Sequence, residues 1–451
     1  MAAVTLADSL RHNLSLMHGW IPVTVQILAG VALLAAVSRR SRRWRMTWLP
    51  WAVFVGATLA VCAYWYVAAE GLAGEPAPQS LWLWTGLSGA AVAVLVTGWR
   101  ATRWWQRGVA VLAVPLCALS AALALNLWVG YFPTVGVAWN QLTAGPLPDQ
   151  TDQVTVAAMQ RQGKIPARGT VVTVDIADTA SGFRHRGELV YLPPAWYATD
   201  PPPPLPTVMM IGGEFNTPAD WLRAGDAVKT VDDYAAAHRG FAPVLVFVDS
   251  GGTFNNDTEC VNGSRGNAAD HLTKDVVPYM EHAFGVSADR TRWGIVGWSM
   301  GGTCAVDLSV MHPEMFSAFE DIAGDLGPNS GDRQQTIARL FGGNEAAWAD
   351  WDPSTVITRH GGYNDVAGWF DINTAANDQL AAANSLCGLG TAHGIACAVH
   401  VQPGKHDWPF AAQAFSAALP WLAGQLETPG SPPWPMPAAA TGATHVQPVA
   451  R

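Results

Sequence analysis

The chain has 451 residues, of which 50% are hydrophobic and 14% charged, and its formal net charge at pH 7 is −9. Its length exceeds that of one ordinary domain, and this composition predicts a membrane part joined to a soluble part. Residues 1–149 carry nine basic and four acidic side chains, whereas the remainder carries 17 basic and 31 acidic ones. An acidic soluble part excludes nucleic acid as its main ligand, because nucleic acid binds to a basic face.

Residues 1–135 are expected to form a transmembrane region. Its four apolar stretches are each long enough to cross a bilayer, namely Gly19–Val37, Thr47–Ala69, Leu81–Trp99 and Gly108–Tyr131. The first and third joints between them are rich in arginine, which makes both joints cytoplasmic and places both chain ends outside the membrane. The arginines are Arg39, Arg40, Arg42, Arg43 and Arg45 in the first joint and Arg100, Arg103 and Arg107 in the third, whereas the second joint carries Glu70 and Glu75.

Two further features of these stretches favour a membrane anchor over a transporter. Tryptophans cluster near the predicted span ends, where an amphipathic indole ring is most stable, and no charged residue lies in mid-span, where a transport path would need one. The first stretch lacks a basic lead-in and a small-residue cleavage site, so we expect it to be retained and not removed as a signal peptide.

After an expected linker at 136–169, strand and helix patterns alternate through residues 170–428, which predicts a mainly parallel sheet with helices on both faces. Residues 429–451 are rich in proline and alanine, so we expect a disordered tail. The strand signals are Val171–Ile176, Gly187–Leu192, Thr207–Ile211, Val244–Val248, Trp293–Val296, Ser317–Ile322, Val366–Ile372 and Ala396–Val401.

The segment Trp293–Gly302 carries the clearest functional signal. An apolar strand runs into Gly297-Trp298-Ser299-Met300-Gly301, and a helix of small residues follows. A serine hydroxyl becomes an effective nucleophile when a sharp turn presents it beside a base, and the flanking glycines permit that turn. The pattern predicts that Ser299 is a catalytic nucleophile.

A serine nucleophile of this kind needs a histidine after the last strand and an acid after the preceding one. His406 lies directly after the final strand signal, whereas His393 and His400 lie in a mid-connection loop and within a strand. For the acid we prefer Asp378, which lies in the loop before the next helix, and Asp371 within the strand is the alternative. Asp378 could instead serve as an N-cap of that helix.

The oxyanion of the reaction needs two backbone N–H donors. One follows the nucleophile and the other lies in the loop after the strand Thr207–Ile211, which assigns Met300 and, within Gly212-Gly213-Glu214-Phe215, Glu214. The sequence shows no metal-like cluster of cysteine and histidine, and we expect neither a metal nor a cofactor.

The chain contains six cysteines. Cys62 and Cys117 fall within predicted spans and are most simply small apolar residues. The other four are Cys260, Cys304, Cys387 and Cys397, and their even number in an oxidising compartment permits two disulfides. Three pairings are possible; Cys387 with Cys397 would close a short loop and leave Cys260 with Cys304.

From about Val171 to Leu426 the chain resembles the esterase branch of the α/β-hydrolases, which includes esterase D-type enzymes and the secreted mycobacterial mycolyltransferase antigens. The matching landmarks are the segments 297–302, Gly-Trp-Ser-Met-Gly-Gly, and 404–408, Gly-Lys-His-Asp-Trp. The resemblance implies the α/β-hydrolase fold, a Ser-acid-His mechanism and a membrane-anchored actinobacterial type. The acid loop matches poorly, because Asn373-Thr374-Ala375-Ala376-Asn377 lacks the usual Gly-x-x-Asp pattern.

Together these observations predict a membrane-tethered, extracytoplasmic serine esterase or acyltransferase that acts on acyl ester or glycolipid substrates of the cell envelope. A catalytically silent envelope-binding or scaffold protein is the alternative. The segment Gly324–Tyr363 is the expected wall of the acceptor site, and its Phe341, Trp348 and Trp351 either line an acyl groove or pack on the core.

Overall fold

The computed structural model describes residues 14–38, 40–69, 77–101, 103–143, 145–433 and 435–436. The chain divides into two compact units, Met1–Gly145 and Pro146–Arg451. Arg39, Glu70 and Glu75 lie outside the described residues, as does most of the expected disordered tail, residues 437–451.

In the described part of the N-terminal unit, four helices are long and apolar enough to cross a membrane. They are α1 (Trp20–Ser38), α2 (Arg42–Ala69), α3 (Gln79–Gly98) and α4 (Trp104–Val129), and a shorter helix α5 (Val135–Leu142) follows. Each of the four coincides with one of the apolar stretches identified in the sequence. The side chains of Trp20, Trp48, Trp51 and Trp104 are exposed, as expected of residues at a lipid interface.

Arg40 connects two helix ends in this unit. Its Nε donates to the carbonyl of Ala36 at 3.1 Å and its Nη1 donates to the carbonyl of Gly98 at 2.7 Å. The last carbonyls of a helix have no partner within the helix, so this buried arginine satisfies carbonyls of both α1 and α3. One residue of the predicted cytoplasmic arginine cluster therefore also fixes the packing of the helices.

The C-terminal unit is built on a nine-stranded sheet. Its strands are β1 (Gln150–Thr151), β2 (Thr170–Val174), β3 (Glu188–Leu192), β4 (Thr207–Ile211), β5 (Val244–Val248), β6 (Trp293–Trp298), β7 (Ala318–Ile322), β8 (Ala367–Asn373) and β9 (Ala396–Gln402). The spatial order is β1-β2-β3-β5-β4-β6-β7-β8-β9. β3 is antiparallel to β2 and β5, and the other pairs are parallel. This is the α/β-hydrolase fold that the sequence predicted.

Helices cover both faces of the sheet. They are α6 (Gln153–Arg161), α7 (Ala227–Ala237), α8 (Val277–Phe284), α9 (Met300–Met311), α10 (Arg333–Phe341), α11 (Glu345–Ala349), α12 (Pro353–His360), α13 (Asn377–Ala392) and α14 (Trp408–Gln425), with short helical turns at Asp220–Arg223 and Ala268–Asp270 and a π-helical segment at His271–Val276. Successive strand residues point to opposite faces. Accordingly Asp321 lies against Gly302 of α9, while Trp369, the register partner of Glu320, packs on Trp421 of α14.

Most strand residues are buried, because helices cover the sheet on both sides. Because the strands from β4 to β9 run parallel, their carboxyl ends lie at the same edge of the sheet. The loops that follow these strands are the segments that the fold brings together.

The segment 136–169, expected to be a linker, contains regular structure. It includes most of α5, the edge strand β1 and helix α6, and Asp152 caps α6 by accepting a hydrogen bond from the N–H of Thr155 at 2.8 Å. Gln150 and Thr151 pair with Val171 and Val172. The two-residue strand is too short to show an alternating pattern, which is why the sequence did not reveal it.

Candidate active site

Ser299 lies on the sharp turn between β6 and α9. Its backbone has φ 57° and ψ −121°, a combination that costs energy for a residue with a side chain and that persists where the surrounding structure enforces it. The turn leaves no room at Gly297, where a β-carbon would lie 1.6 Å from the carbonyl oxygen of Gly301. The side chain of Ser299 is partly exposed at the carboxyl edge of the sheet.

His406 is brought to Ser299 by the loop between β9 and α14. Its Nε2 lies 3.0 Å from the Oγ of Ser299, which is the distance a general base needs. Asp407 caps α14 by accepting from the N–H of Phe410, and the imidazole packs on the indole of Trp298 at 4.3 Å between ring centroids. Burial lowers the pKa of His406 to about 4, so the ring is neutral at neutral pH and can accept the serine proton.

The described part of the chain shows no contact between His406 and either acid considered from the sequence, Asp378 or Asp371. Among the described residues, the buried Nδ1 of His406 has no hydrogen-bond partner. Asp378 is exposed in the first turn of α13. Asp371 accepts hydrogen bonds from Trp369 Nε1 and Gln402 Nε2 and lies 2.9 Å from His400 Nδ1. Neither carboxylate therefore orients His406 in this structure.

The two competing histidines lie in other surroundings. His400 pairs with Asp371, to which it is directly opposite in the β8–β9 register. His393 is at the end of α13, and its Nδ1 lies 2.7 Å from the carbonyl of Gly361. Both have partners other than Ser299.

The loop after β4 touches the nucleophile. A β-carbon at Gly213 would lie 3.2 Å from the Cβ of Ser299, so a larger residue would push the loop or Ser299 away by a few tenths of an ångström. The N–H of Gly213 donates to the side chain of Asn216 at 2.9 Å, and Glu214 is the next residue. Met300 is the first residue of α9, where backbone N–H groups have no acceptor within the helix.

Arg186 and Asp249 hold this loop in place, and sequence reasoning missed both. Arg186 Nη2 donates to the carbonyl of Asn216 at 2.8 Å and to Asp249 Oδ1 at 2.6 Å, and its Nε donates to Asp249 Oδ2 at 3.0 Å. Asp249 also accepts from the N–H groups of Gly251 and Gly252. Burial tends to raise the pKa of Asp249, but the hydrogen bonds and charge of Arg186 lower it overall. These residues are 63 positions apart, so no local motif joins them.

Two carboxylates, the buried Glu259 and the half-buried Asp325, lie beside α9. Asp325 donates its N–H to the hydroxyl of Thr303 at 2.9 Å, and its side chain interacts electrostatically with Glu259. Burial raises the pKa of both carboxyl groups, well above the ordinary value for Glu259. The disulfide between Cys260 and Cys304 attaches the loop after β5 to α9.

The second disulfide joins Cys387 and Cys397, so both bonds follow the pairing favoured from the sequence. The aromatic residues of the expected wall pack on the unit itself. Phe341 is buried in a cluster with Val261, and Trp348 and Trp351 pack against that cluster.

His185, Glu188 and His271 form the one group of possible metal ligands found among the described residues, with ligand atoms within 4.8 Å of one another. His271 lies between Glu188 and Asp275, at 3.0 and 3.3 Å. Burial tends to lower the pKa of His271, but the two carboxylates raise it overall. The imidazoles of His185 and His271 are stacked 4.1 Å apart, so their nitrogen lone pairs lie in two nearly parallel planes and do not converge well on one point. This geometry suits a protonated His271 between two carboxylates better than a metal ion.

Comparison with known proteins places the C-terminal unit in a family. The sequence profile of the family described as "Putative esterase" matches residues 183–422, more than half of the chain. The chain therefore belongs to this esterase family, as its resemblance implied, and membership supports esterase or acyltransferase chemistry.

One protein of known sequence and two solved structures illustrate what the chain is similar to. An uncharacterized protein of Corynebacterium glutamicum is 27% identical over 412 residues, which cover 88% of this chain and 92% of the relative. The matched region is longer than the C-terminal unit, so it includes part of the N-terminal unit as well. Among solved structures, an S-formylglutathione hydrolase from Agrobacterium tumefaciens is 17% identical, with 58% of this chain and 97% of that chain covered at a TM-score of 0.49. The MPT51 protein of Mycobacterium tuberculosis is 16% identical, with 56% and 99% covered at a TM-score of 0.41.

Proposed function

We propose that this protein is a membrane-anchored serine esterase or acyltransferase whose catalytic unit lies outside the cytoplasmic membrane. The observation that carries the proposal is the 3.0 Å contact between Ser299 Oγ and His406 Nε2 on a nucleophile elbow. The neutral state of His406 at physiological pH and the family membership support it.

The proposed reaction has two steps. Ser299 Oγ attacks the ester carbonyl carbon while its proton passes to Nε2 of His406, and the N–H groups of Met300 and Glu214 donate to the oxyanion. The carbonyl re-forms, the bond to the alcohol oxygen breaks, and the departing oxygen takes the proton from Nε2. Water or an acceptor hydroxyl then releases the acyl group by the same sequence in reverse. We propose that the Ser–His pair acts without an acid in contact with Nδ1.

Two features support the extracytoplasmic placement. The C-terminal unit contains two disulfides, which persist in oxidising compartments. The arginine-rich joints favour an orientation with both chain ends outside, by the positive-inside rule. We propose an acyl ester or glycolipid of the cell envelope as substrate. Alkaline phosphatase fused after residue 433 should be active in intact cells, and a fusion within the joint at 100–103 should be inactive; the reverse pattern would contradict this orientation.

A binding or scaffold role without catalysis is a second candidate, and the missing acid contact at His406 is the observation that favours it. Labelling of the full-length protein in detergent by a fluorophosphonate, read by peptide mass spectrometry beside Ser299→Ala, separates the two. Labelling at Ser299 that the variant lacks would support the enzyme. A folded protein that stays unlabelled would support the scaffold.

A further inference from the structure

Large exposed apolar side chains are few in the described part of the C-terminal unit. They are Val154, Ile165, Phe254 and Leu326, of which Phe254 is 71% and Leu326 is 48% exposed. Phe254 follows β5 and Leu326 follows β7, so both lie at the carboxyl edge of the sheet that carries Ser299. Two of the four exposed apolar residues therefore belong to the edge that holds the nucleophile.

Phe215 extends this apolar surface to the loop after β4. Its ring lies 5.3 Å from that of Phe254 between centroids, within the usual range for an aromatic pair. The strand order β5-β4-β6-β7 places Phe254, Phe215, Ser299 and Leu326 in a row along the sheet edge. Adjacent strands are about 4.8 Å apart, so the row is about 14 Å long. We call Phe254, Phe215 and Leu326 the apolar row.

The backbone beneath the apolar row is held by specific contacts. Phe215 has φ 62°, which is rare for a bulky residue, and the carbonyl of the following Asn216 accepts from Arg186. The residue before Leu326 donates its N–H to the hydroxyl of Thr303 in the nucleophile helix. These hydrogen bonds fix the backbone of the loops that carry the apolar side chains.

We propose that the apolar row binds the acyl chain of an apolar ester while Ser299 attacks its carbonyl carbon. The inference rests on the proposed function and names its substrate class. An acyl chain is the occupant that fits, because Phe215 follows the predicted oxyanion residue Glu214, where the ester carbonyl is held, and Phe254 adds exposed apolar surface beside it. Covering the exposed side chains of Phe254 and Leu326 together with the chain removes apolar surface from water, which favours binding. The raised pKa values of the buried Glu259 and the half-buried Asp325 keep this part of the edge less anionic.

The test compares p-nitrophenyl acetate with p-nitrophenyl octanoate, using the full-length protein in detergent. Phe254→Ser and Leu326→Ser remove parts of the row, and Val154→Ser is the matched control, because Val154 is 76% exposed but lies in α6. Each variant is compared with the wild type on the same ester, so partition into the micelle cancels. Both substituted residues are exposed, and melting temperatures verify that the variants are folded.

We expect kcat/KM for the octanoate to fall about fivefold in Phe254→Ser, a change of about 1 kcal/mol, and the acetate to change less than twofold. Val154→Ser should match the wild type on both esters. Equal losses on the two esters would overturn the inference, and docking of the row to a bilayer surface would give that result. No loss on either ester would overturn it as well. In both cases, acetate hydrolysis that depends on Ser299 would still support the proposed function. If neither ester is hydrolysed through Ser299, the proposed function fails, and the inference fails with it.

Discussion

Replacement of Asp378 by asparagine tests whether His406 works without an acid. Removing the acid of a Ser-His-Asp triad lowers kcat by about 10⁴, or about 5.5 kcal/mol. Asp378 is exposed in the first turn of α13, and Nδ1 of His406 has no partner among the described residues. Only a solvent-screened charge effect remains, so we expect kcat/KM to change less than threefold, which is below about 0.7 kcal/mol.

The assay is hydrolysis of p-nitrophenyl esters by the full-length protein in detergent at pH 7.5, with Ser299→Ala as the inactive reference. Glu345→Gln is a matched control, since Glu345 is also an exposed carboxylate in the first turn of a helix. A loss of 10³-fold or more in Asp378→Asn, with Glu345→Gln unchanged, would refute the reasoning. It would show that Asp378 reaches His406 in the active enzyme and restore the triad predicted from the sequence.

Three further predictions follow from named contacts. The base must be neutral, and burial lowers the pKa of His406 to about 4. We therefore expect kcat/KM to stay constant down to about pH 5 and to fall to half its value near pH 4. A fall to half near the ordinary histidine pKa of about 6.5 would contradict the lowered pKa of His406. Arg186→Lys keeps a positive charge beside Asp249 but loses the planar guanidinium group that also donates to the carbonyl of Asn216. We expect kcat to fall about tenfold with little change in melting temperature. An unchanged kcat would exclude a positioning role for Arg186. Replacing Cys260 and Cys304 together by alanine opens a loop of 44 residues. The lost restriction of the unfolded chain should lower the free energy of unfolding by about 4 kcal/mol and the melting temperature by roughly 8 °C. A shift below about 2 °C would show that other contacts already hold this loop.

The sheet and its order of elements could be predicted largely because each strand signal is local. The strands from β4 to β9 are short apolar runs bounded by turn residues, and helix patterns alternate with them in the sequence. Within the segment 136–169, expected to be a linker, β1 has two residues and pairs with β2. Such an element depends on its neighbour, and no periodicity within it could have revealed it.

At the candidate site, the structure brings the predicted Ser299 and His406 together, because the fold fixes where their strands end. It does not bring the two candidate acids to His406. Asp371 looked available in the sequence, but in the sheet it faces His400 and Gln402 across the β8–β9 pairing. Which partner a carboxylate takes depends on the side chains that other strands place beside it.

The surroundings of the aromatic residues could not be predicted from the sequence either. Phe341, Trp348 and Trp351 were equally compatible with a substrate wall and with core packing, and the structure places them in a packed cluster. Phe254, in a loop without a motif, is the aromatic side chain left exposed at the sheet edge. Burial is a property of the assembled surface, and composition alone does not assign it.

By itself the sequence determined the four apolar helices, the alternating α/β unit, the nucleophile elbow and the histidine after the last strand. Each of these depends on short-range chemistry: apolar runs, glycine at a tight turn, and strand ends followed by polar residues. Only the tertiary structure decided that Asp371 contacts His400 and not His406, that Arg186 donates to the loop beside Ser299, and which apolar side chains remain in solvent. Those features depend on distances between residues far apart in the chain, which are set when the strands take their order in the sheet.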